Sequence, residues 1–332
     1  MLLSNVRSVR LISTARSVTS RAMTDDPTAE VAARYTVQTT PFLERLMEGG
    51  GPDDALVRQF RPSLAELVTA PDDLADPIGD DARSPLPGLV HRYPDRVLLL
   101  PIKVCAAYCR FCFRRAVVGR GAQPLSPDET AAALDYIRAR PAIWEVILSG
   151  GDPLLLSPRR LRELVAALAD IPHVETLRVH TRLPIHDPDR VTTELAEAIA
   201  STRLAPWLAV HVNHAREFAP EVVAALGRLR RAGVSLVSQS VLLRGVNDDV
   251  DTLEALFRAC VRHGVKPYYL HHPDRAEGTS HFRLSIDEGR ALVAALNARL
   301  SGLARPTYVL DRPGGLGKVP LGPYAAQPYA DQ

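Results

Sequence analysis

The chain has 332 residues, 46% of them hydrophobic and 23% charged, with a formal net charge of +2. That apolar share supports a large core, and the charges form no long basic block that would announce a nucleic-acid partner or a membrane surface. No apolar run approaches the roughly 20 residues that span a bilayer and neither end carries a lipidation signal, so the sequence reads as a cytoplasmic protein.

Residues 1–24 carry Arg7, Arg10, Arg16 and Arg21, several serines and no acid. They superficially resemble an organellar transit peptide, but read better as a disordered leader or a start upstream of the real one at Met23. Residues 25–90 read as an N-terminal helical region, in short pieces broken by clusters such as Pro71-Asp72-Asp73 and Asp76-Pro77.

From 91 to 303 the pattern changes to strand and helix in alternation. Strands are expected at 97–100, 146–149, 177–181, 208–213, 236–242 and 267–271. Helices are expected at 128–139, 159–169, 192–200, 221–231, 250–263 and 286–300. Ser126-Pro127, Ser157-Pro158 and Ser285 mark helix starts, while Gly233 and Gly264 close helices. Six such units call for parallel strands with right-handed crossovers and are too few for a full eight-fold barrel. The expected fold is therefore α/β, an open, partial (β/α)6 barrel with an N-terminal helical cap. Chemistry in such barrels gathers at the C-terminal ends of the strands. Residues 304–332 form a last segment, an extended run at 307–309 followed by a glycine-rich stretch.

Four cysteines occur, and Cys105, Cys109 and Cys112 fall just past the first barrel strand. Their clustering argues against a disulfide framework and for metal ligation in a reducing compartment. Three thiolates in CxxxCxxC spacing can ligate three irons of a cubane cluster and leave the fourth without a protein ligand. The alternative, a structural zinc site, needs a fourth ligand. Cys260, mid-helix and distant in sequence, reads instead as a small buried hydrophobe.

The loop Cys105-Ala-Ala-Tyr-Cys109-Arg-Phe-Cys112, with a barrel behind it, resembles the radical S-adenosylmethionine superfamily. The resemblance implies a [4Fe-4S] cluster whose open iron chelates S-adenosylmethionine. At the second strand end stands Ser149-Gly150-Gly151-Asp152-Pro153-Leu154, where glycines let backbone approach a ligand and an acid can accept from an amine. By the resemblance, Gly150, Gly151 and Asp152 contact the amino group of S-adenosylmethionine. His211, Asn213 and Gln239 are further candidates, each equally readable as a hydrogen-bonded structural polar group.

Gly314-Gly315-Leu316-Gly317-Lys318 is not a P-loop, because Arg312 stands where that pattern needs glycine and Val319 where it needs Ser or Thr. A lysine on such a loop can anchor pyridoxal phosphate as a Schiff base; taken alone it reads rather as a plain surface turn. The run DRPGGLGKVP from Asp311 to Pro320 resembles the pyridoxal-binding segment of lysine 2,3-aminomutases. So do Thr181-Arg182-Leu183-Pro184, Asn213-His214, the stretch from Gln239 to Asn247, and Pro267-Tyr268-Tyr269-Leu270. The likeness covers nearly everything but the leader.

By that resemblance Lys318 carries pyridoxal 5'-phosphate and Arg182 and Arg96 meet its phosphate, for which a guanidinium fork is suited. Arg114 would bind the substrate carboxylate, and Asp274 and Asp311 the distal ammonium of lysine. Two acids withdrawn from water side by side call for a cation between them; as exposed loop acids they would mean nothing. The implied activity is an isomerase moving the α-amino group of L-lysine to the β-carbon. Alternatives are the same reaction serving β-lysylation of translation elongation factor P, an arginine or ornithine 2,3-aminomutase, and, outside enzymes, a zinc-stabilised binding protein. The expected partners are a small amino acid and an electron donor such as flavodoxin or ferredoxin. The C-terminal zinc-binding cysteines of larger relatives are not found in this sequence, which leaves open whether it forms a homo-oligomer.

Overall fold

The computed structural model describes residues 28–119, 123–315 and 317–322. The leader read over 1–24 lies outside them, as do Leu316 and the end of the 304–332 segment.

Three short helices come first, α1 (Ala29–Arg34), α2 (Pro41–Leu46) and α3 (Ala55–Phe60). Thr40 caps α2 and Asp54 caps α3 through side-chain oxygens. Helices this short do not persist alone; these are held by burying Val31, Phe42, Leu43, Leu56 and Phe60. A single turn at Leu64–Leu67 follows, closed by a capping box between Ser63 and Glu66.

The barrel then runs β1 (Leu89–Tyr93), β2 (Arg96–Ile102), α4 (Pro127–Arg138), β3 (Glu145–Gly150), α5 (Pro158–Ala169) and β4 (Thr176–Thr181). It continues with α6 (Leu183–His186), α7 (Thr193–Ala200), β5 (Ala205–His211), α8 (Pro220–Arg231), β6 (Ser235–Val241) and α9 (Val250–Arg262). β7 (Lys266–His271), α10 (Ile286–Arg299), β8 (Thr307–Arg312) and β9 (Gly317–Pro320) complete it. All nine strands join one sheet in sequence order. β2 through β8 are parallel, with β1 antiparallel on β2 and β9 antiparallel on β8.

The six expected β/α units are present, from β2–α4 to β7–α10. The sheet is wider than expected, because β8 adds a seventh parallel strand and hairpin partners edge both sides, making the barrel nearly closed. Residues 89 and 90, read as the end of the helical region, already belong to strand β1. Alternation explains the layering: Val146, Leu148, Leu177, Val179, Leu208 and Val210 are fully buried in the apolar core. The opposite set includes Ser149, Arg178, His180, His211 and Gln239, so one sheet face is polar at its C-terminal half. Each long helix except α8 starts on a side-chain cap, from Ser126, Ser157, Thr192, Asp249 or Ser285. Among the described residues no helix is long and apolar enough to cross a membrane.

Candidate active site

The cysteines occupy the loop after β2. Burial, followed by Asp152 and the other two thiols, pushes the Cys105 thiol well above its ordinary value. Burial and then Cys109 push Cys112 to about 11. The three sulfurs thus feel one another, and each must shed a proton to become a ligand. Cys260 is fully buried in the core on α9. Among the described residues no three His, Cys, Asp or Glu side chains are arranged to hold a single metal ion.

Gly150 and Gly151 seat this loop. Gly150 has φ +111°, and a Cβ on it would strike the Ile102 carbonyl, while one on Gly151 would strike the backbone of Val104. The amides of Gly151 and Asp152 donate to the carbonyls of Ile102 and Val104, each at 2.9 Å. The glycines therefore serve first to let β3 and the cysteine loop approach. The Asp152 carboxylate accepts from Thr181 Oγ1 at 2.7 Å, Arg182 N at 2.8 Å and Leu154 N at 3.1 Å. It is a buried strut between the ends of β3 and β4.

Arg182 is placed differently from the expectation. Its Nη1 donates to Cys109 Sγ at 2.9 Å, and its Nη2 to Gln59 Oε1 at 2.6 Å and Glu217 Oε2 at 3.0 Å. The guanidinium is enclosed with its countercharge at the cysteine loop, so both arms of the fork are taken and it does not present them to a phosphate at Lys318. Asn213 is likewise engaged: Nδ2 donates to Gln59 at 3.0 Å and Oδ1 accepts from Val241 N at 2.9 Å.

Lys318 stands on β9 directly across from Asp311 on β8, with Nζ 2.5 Å from Oδ2. Asp311 also accepts from Arg92 Nη1 at 2.6 Å. Arg92 Nη2 reaches Asp80 at 2.9 Å, and the other Asp80 oxygen accepts from Arg114 at 2.8 Å. Arg114 in turn donates to Ser149 Oγ at 3.3 Å. One chain of alternating charges therefore runs from the glycine-loop lysine to the end of β3. Burial raises Asp311, but Lys318 and Arg92 outweigh it and leave the carboxyl below its ordinary range. Asp274 lies beside them with no ion pair among the described residues. Burial, then repulsion from Asp311, pushes it up to about 7.

Arg96 pairs with Asp95 at 2.6 Å and lies 3.8 Å over the Tyr93 ring, whose hydroxyl accepts from Lys318 N at 2.8 Å. It thus stands next to the lysine hairpin. Gln239 Oε1 and His271 Nε2 are 3.2 Å apart, and the Phe111 ring lies 5.4 Å from that of His211. His180 and His211 each keep a buried Nε2 with no partner, and burial holds both imidazoles well below their ordinary pKa. Neutral imidazoles with a spare nitrogen are suited to a polar guest.

Sequence reasoning missed Arg92, His180 and His271. The glycine run gives Lys318 its setting: a Cβ on Gly79 (φ +73°) would collide with Gly315 N and the Gly314 carbonyl carbon. The loop before β1 therefore packs backbone to backbone on the lysine hairpin.

A cysteine loop at the C-terminal mouth of a partial parallel barrel defines a class, and a sequence model of the Radical SAM superfamily matches residues 99–256. The L-lysine 2,3-aminomutase of Clostridium subterminale is 40% identical over 299 residues, 90% of this chain and 72% of that protein. That of Escherichia coli (strain K12) is 42% identical over 84% of this chain and 81% of its own length, and that of Fusobacterium nucleatum 40% over 86% and 67%. The chain belongs to the L-lysine 2,3-aminomutase family. Membership implies a [4Fe-4S] cluster, S-adenosylmethionine and pyridoxal phosphate, and the donor set fits them: three free thiols on one loop, a lysine beside two guanidinium groups, and buried imidazole nitrogens without partners.

Proposed function

We propose that this chain is a lysine 2,3-aminomutase, moving the α-amino group of L-lysine to the β-carbon to give β-lysine. The observation that carries the substrate reading is the pair of acids beside Lys318. Asp311 is already ion-paired with two cations, whereas Asp274, partly buried and close enough to feel Lys318, Arg114 and Arg92, has no ion pair of its own among the described residues and can take a guest cation. A diamino acid supplies one.

When bound, the cluster with S-adenosylmethionine supplies a hydrogen-abstracting radical and pyridoxal phosphate supplies the carbonyl through which nitrogen migrates. The chain supplies alignment and a dry site. Cys105, Cys109 and Cys112 hold the cluster, and Gly150 and Gly151 bring their loop onto β3. His211 and Gln239 would contact S-adenosylmethionine, and the Gly150–Asp152 turn would receive its amino group. Lys318 would anchor pyridoxal phosphate, with Arg92 and Arg96 as guanidinium groups beside its hairpin. Arg114 receives the substrate carboxylate, and Asp274 with Asp311 the distal ammonium. An electron donor of the flavodoxin or ferredoxin type, in the cytoplasm, completes the system.

Anaerobically prepared protein, reduced and incubated with S-adenosylmethionine and a panel of L-amino acids, is expected to yield a β-amino product from L-lysine in preference to monoamino acids. Iron, sulfide and a pyridoxal absorbance accompany it. Zinc alone in the protein removes the radical reading, and a β-amino product from arginine or ornithine in preference moves the substrate. Lys318→Ala is expected to abolish rearrangement and the pyridoxal absorbance while cluster-dependent cleavage of S-adenosylmethionine persists.

A further inference from the structure

Arg182 is one of the most completely enclosed cations of the molecule, and its position next to a sulfur gives it a task other than phosphate binding. We propose that Arg182 and His186 set the reduction potential of the iron–sulfur cluster through the Cys109 sulfur. This rests on the reading that the three cysteines hold that cluster.

Both residues belong to one turn, Arg182 capping α6 and His186 ending it, with His186 N donating to Arg182 O at 2.9 Å. Arg182 Nη1 donates to Cys109 Sγ at 2.9 Å, and His186 Nε2 lies 3.6 Å from the same atom. His186 Nδ1 is buried without a partner, so the ring proton is best satisfied on Nε2, where it faces sulfur. Among the described residues no side chain donates to the sulfur of Cys105 or Cys112; the middle cysteine receives both donors.

The arrangement is rigid. Asp152 accepts from Arg182 N at 2.8 Å, Gln59 and Glu217 hold Nη2, and the guanidinium lies 4.8 Å over Phe60 and 5.2 Å over Phe111. Phe60 also packs edge-on against His186 at 5.6 Å, and Thr40 Oγ1 donates to the His186 carbonyl. Arg182 Nε remains buried and unpartnered, one more donor on that side.

Donors and positive charge at a ligating sulfur favour the reduced, more negative cluster and raise its potential, and a buried, charge-assisted donor does so most strongly. Glu217, 3.0 Å from the same guanidinium, acts with the opposite sign. The structure therefore contains two groups that ease reduction and one that opposes it.

Opposite signs make the test. The full chain is loaded anaerobically with iron, sulfide and pyridoxal phosphate, S-adenosylmethionine is omitted, and the cluster is titrated against potential by its electron paramagnetic resonance signal. His186→Phe is expected to lower the equilibrium constant for reduction about tenfold, which for one electron is about 59 mV. His186→Gln, which keeps a donor, is expected to stay near the parent value. Arg182→Gln combined with Glu217→Gln avoids stranding a buried charge and is expected to move the same way as His186→Phe, whereas Glu217→Gln alone moves the other way. Unchanged midpoints in variants with full iron and sulfide, or one common direction for all, overturn the proposal. If the Arg182 variant does not fold, His186→Phe, which leaves the charge balance intact, decides. A parent chain that takes up no iron and sulfide overturns the cluster reading itself, before any variant is compared.

Discussion

Asp274 and Asp311 bear the same functional group in neighbouring positions, and their surroundings drive them apart. Lys318 and Arg92 overcome the burial of Asp311 and keep it ionised; Asp274, buried and repelled by Asp311, is pushed to about 7. A carboxyl whose folded-state pKa lies above its unfolded value holds its proton in the ligand-free chain. It costs folding stability as pH rises from the ordinary carboxylate range towards about 7. A substrate ammonium reverses the sign, because it binds the ionised form. Affinity for L-lysine is thus expected to increase with pH by up to about tenfold per unit below neutrality and to level off above it. His271 is pushed down to about 3 by burial and Lys318, so it does not titrate in that window. Lysine binding measured across neutral pH checks this, with Asp274→Asn expected to bind more weakly and to lose the slope. A flat profile for the unaltered chain would take Asp274 out of the substrate site.

At the scale of elements, the turn after β3 and the cysteine loop after β2 are one unit, joined where Gly151 meets Val104 without room for a side chain. Gly151→Ala presses a methyl onto backbone, which yields less readily than a side-chain tip, at a cost of about 1–3 kcal/mol. The expected result is a folded barrel by circular dichroism with iron uptake reduced several-fold; full iron content would mean that the loop gives way elastically. The six β/α units were legible because each strand is a short apolar run and most following helices open on a Ser, Thr or Asp cap. β9 was not: Gly317-Lys318-Val319-Pro320 has the composition of a loop and becomes strand only by pairing with β8. Arg92 carries no local signal either, since its meaning lies in a contact to Asp311 made across 219 sequence positions. Arg182 stood in a recognisable segment, but an arginine at a strand end can turn towards either side. Bonds from its guanidinium to Gln59 and Glu217, both distant in sequence, hold it on the cysteine side.

The whole molecule is a sheet whose two edge strands, β1 and β9, are not paired with each other, and the reactive lysine sits on that seam. Side chains and close backbone span it instead: Tyr93 OH accepts from Lys318 N, Arg92 reaches Asp311, and Gly79 packs on Gly314 and Gly315. The cysteine loop is secured separately, by the buried Glu66, which takes Arg110 Nε at 3.0 Å and also pairs with Arg115, and by the backbone bonds to Gly151 and Asp152. Loosening the seam should therefore affect one cofactor and spare the other. Tyr93→Phe removes the acceptor from the Lys318 amide, and a half-buried donor left unsatisfied costs about 1–3 kcal/mol. Where that cost falls on the cofactor-bound form, it corresponds to a loss of pyridoxal phosphate affinity of about fivefold to about 150-fold, since about 1.4 kcal/mol is tenfold. Dialysis of the variant should release pyridoxal phosphate faster while iron and sulfide stay at the parent level. Added pyridoxal phosphate should also restore resistance to proteolysis in the 68–88 segment, because cofactor on Lys318 holds β9 against the loop that contains Gly79. Parallel loss of iron and pyridoxal phosphate would instead mean that the seam and the cysteine loop open together, through the Arg92–Asp80–Arg114 chain that joins them.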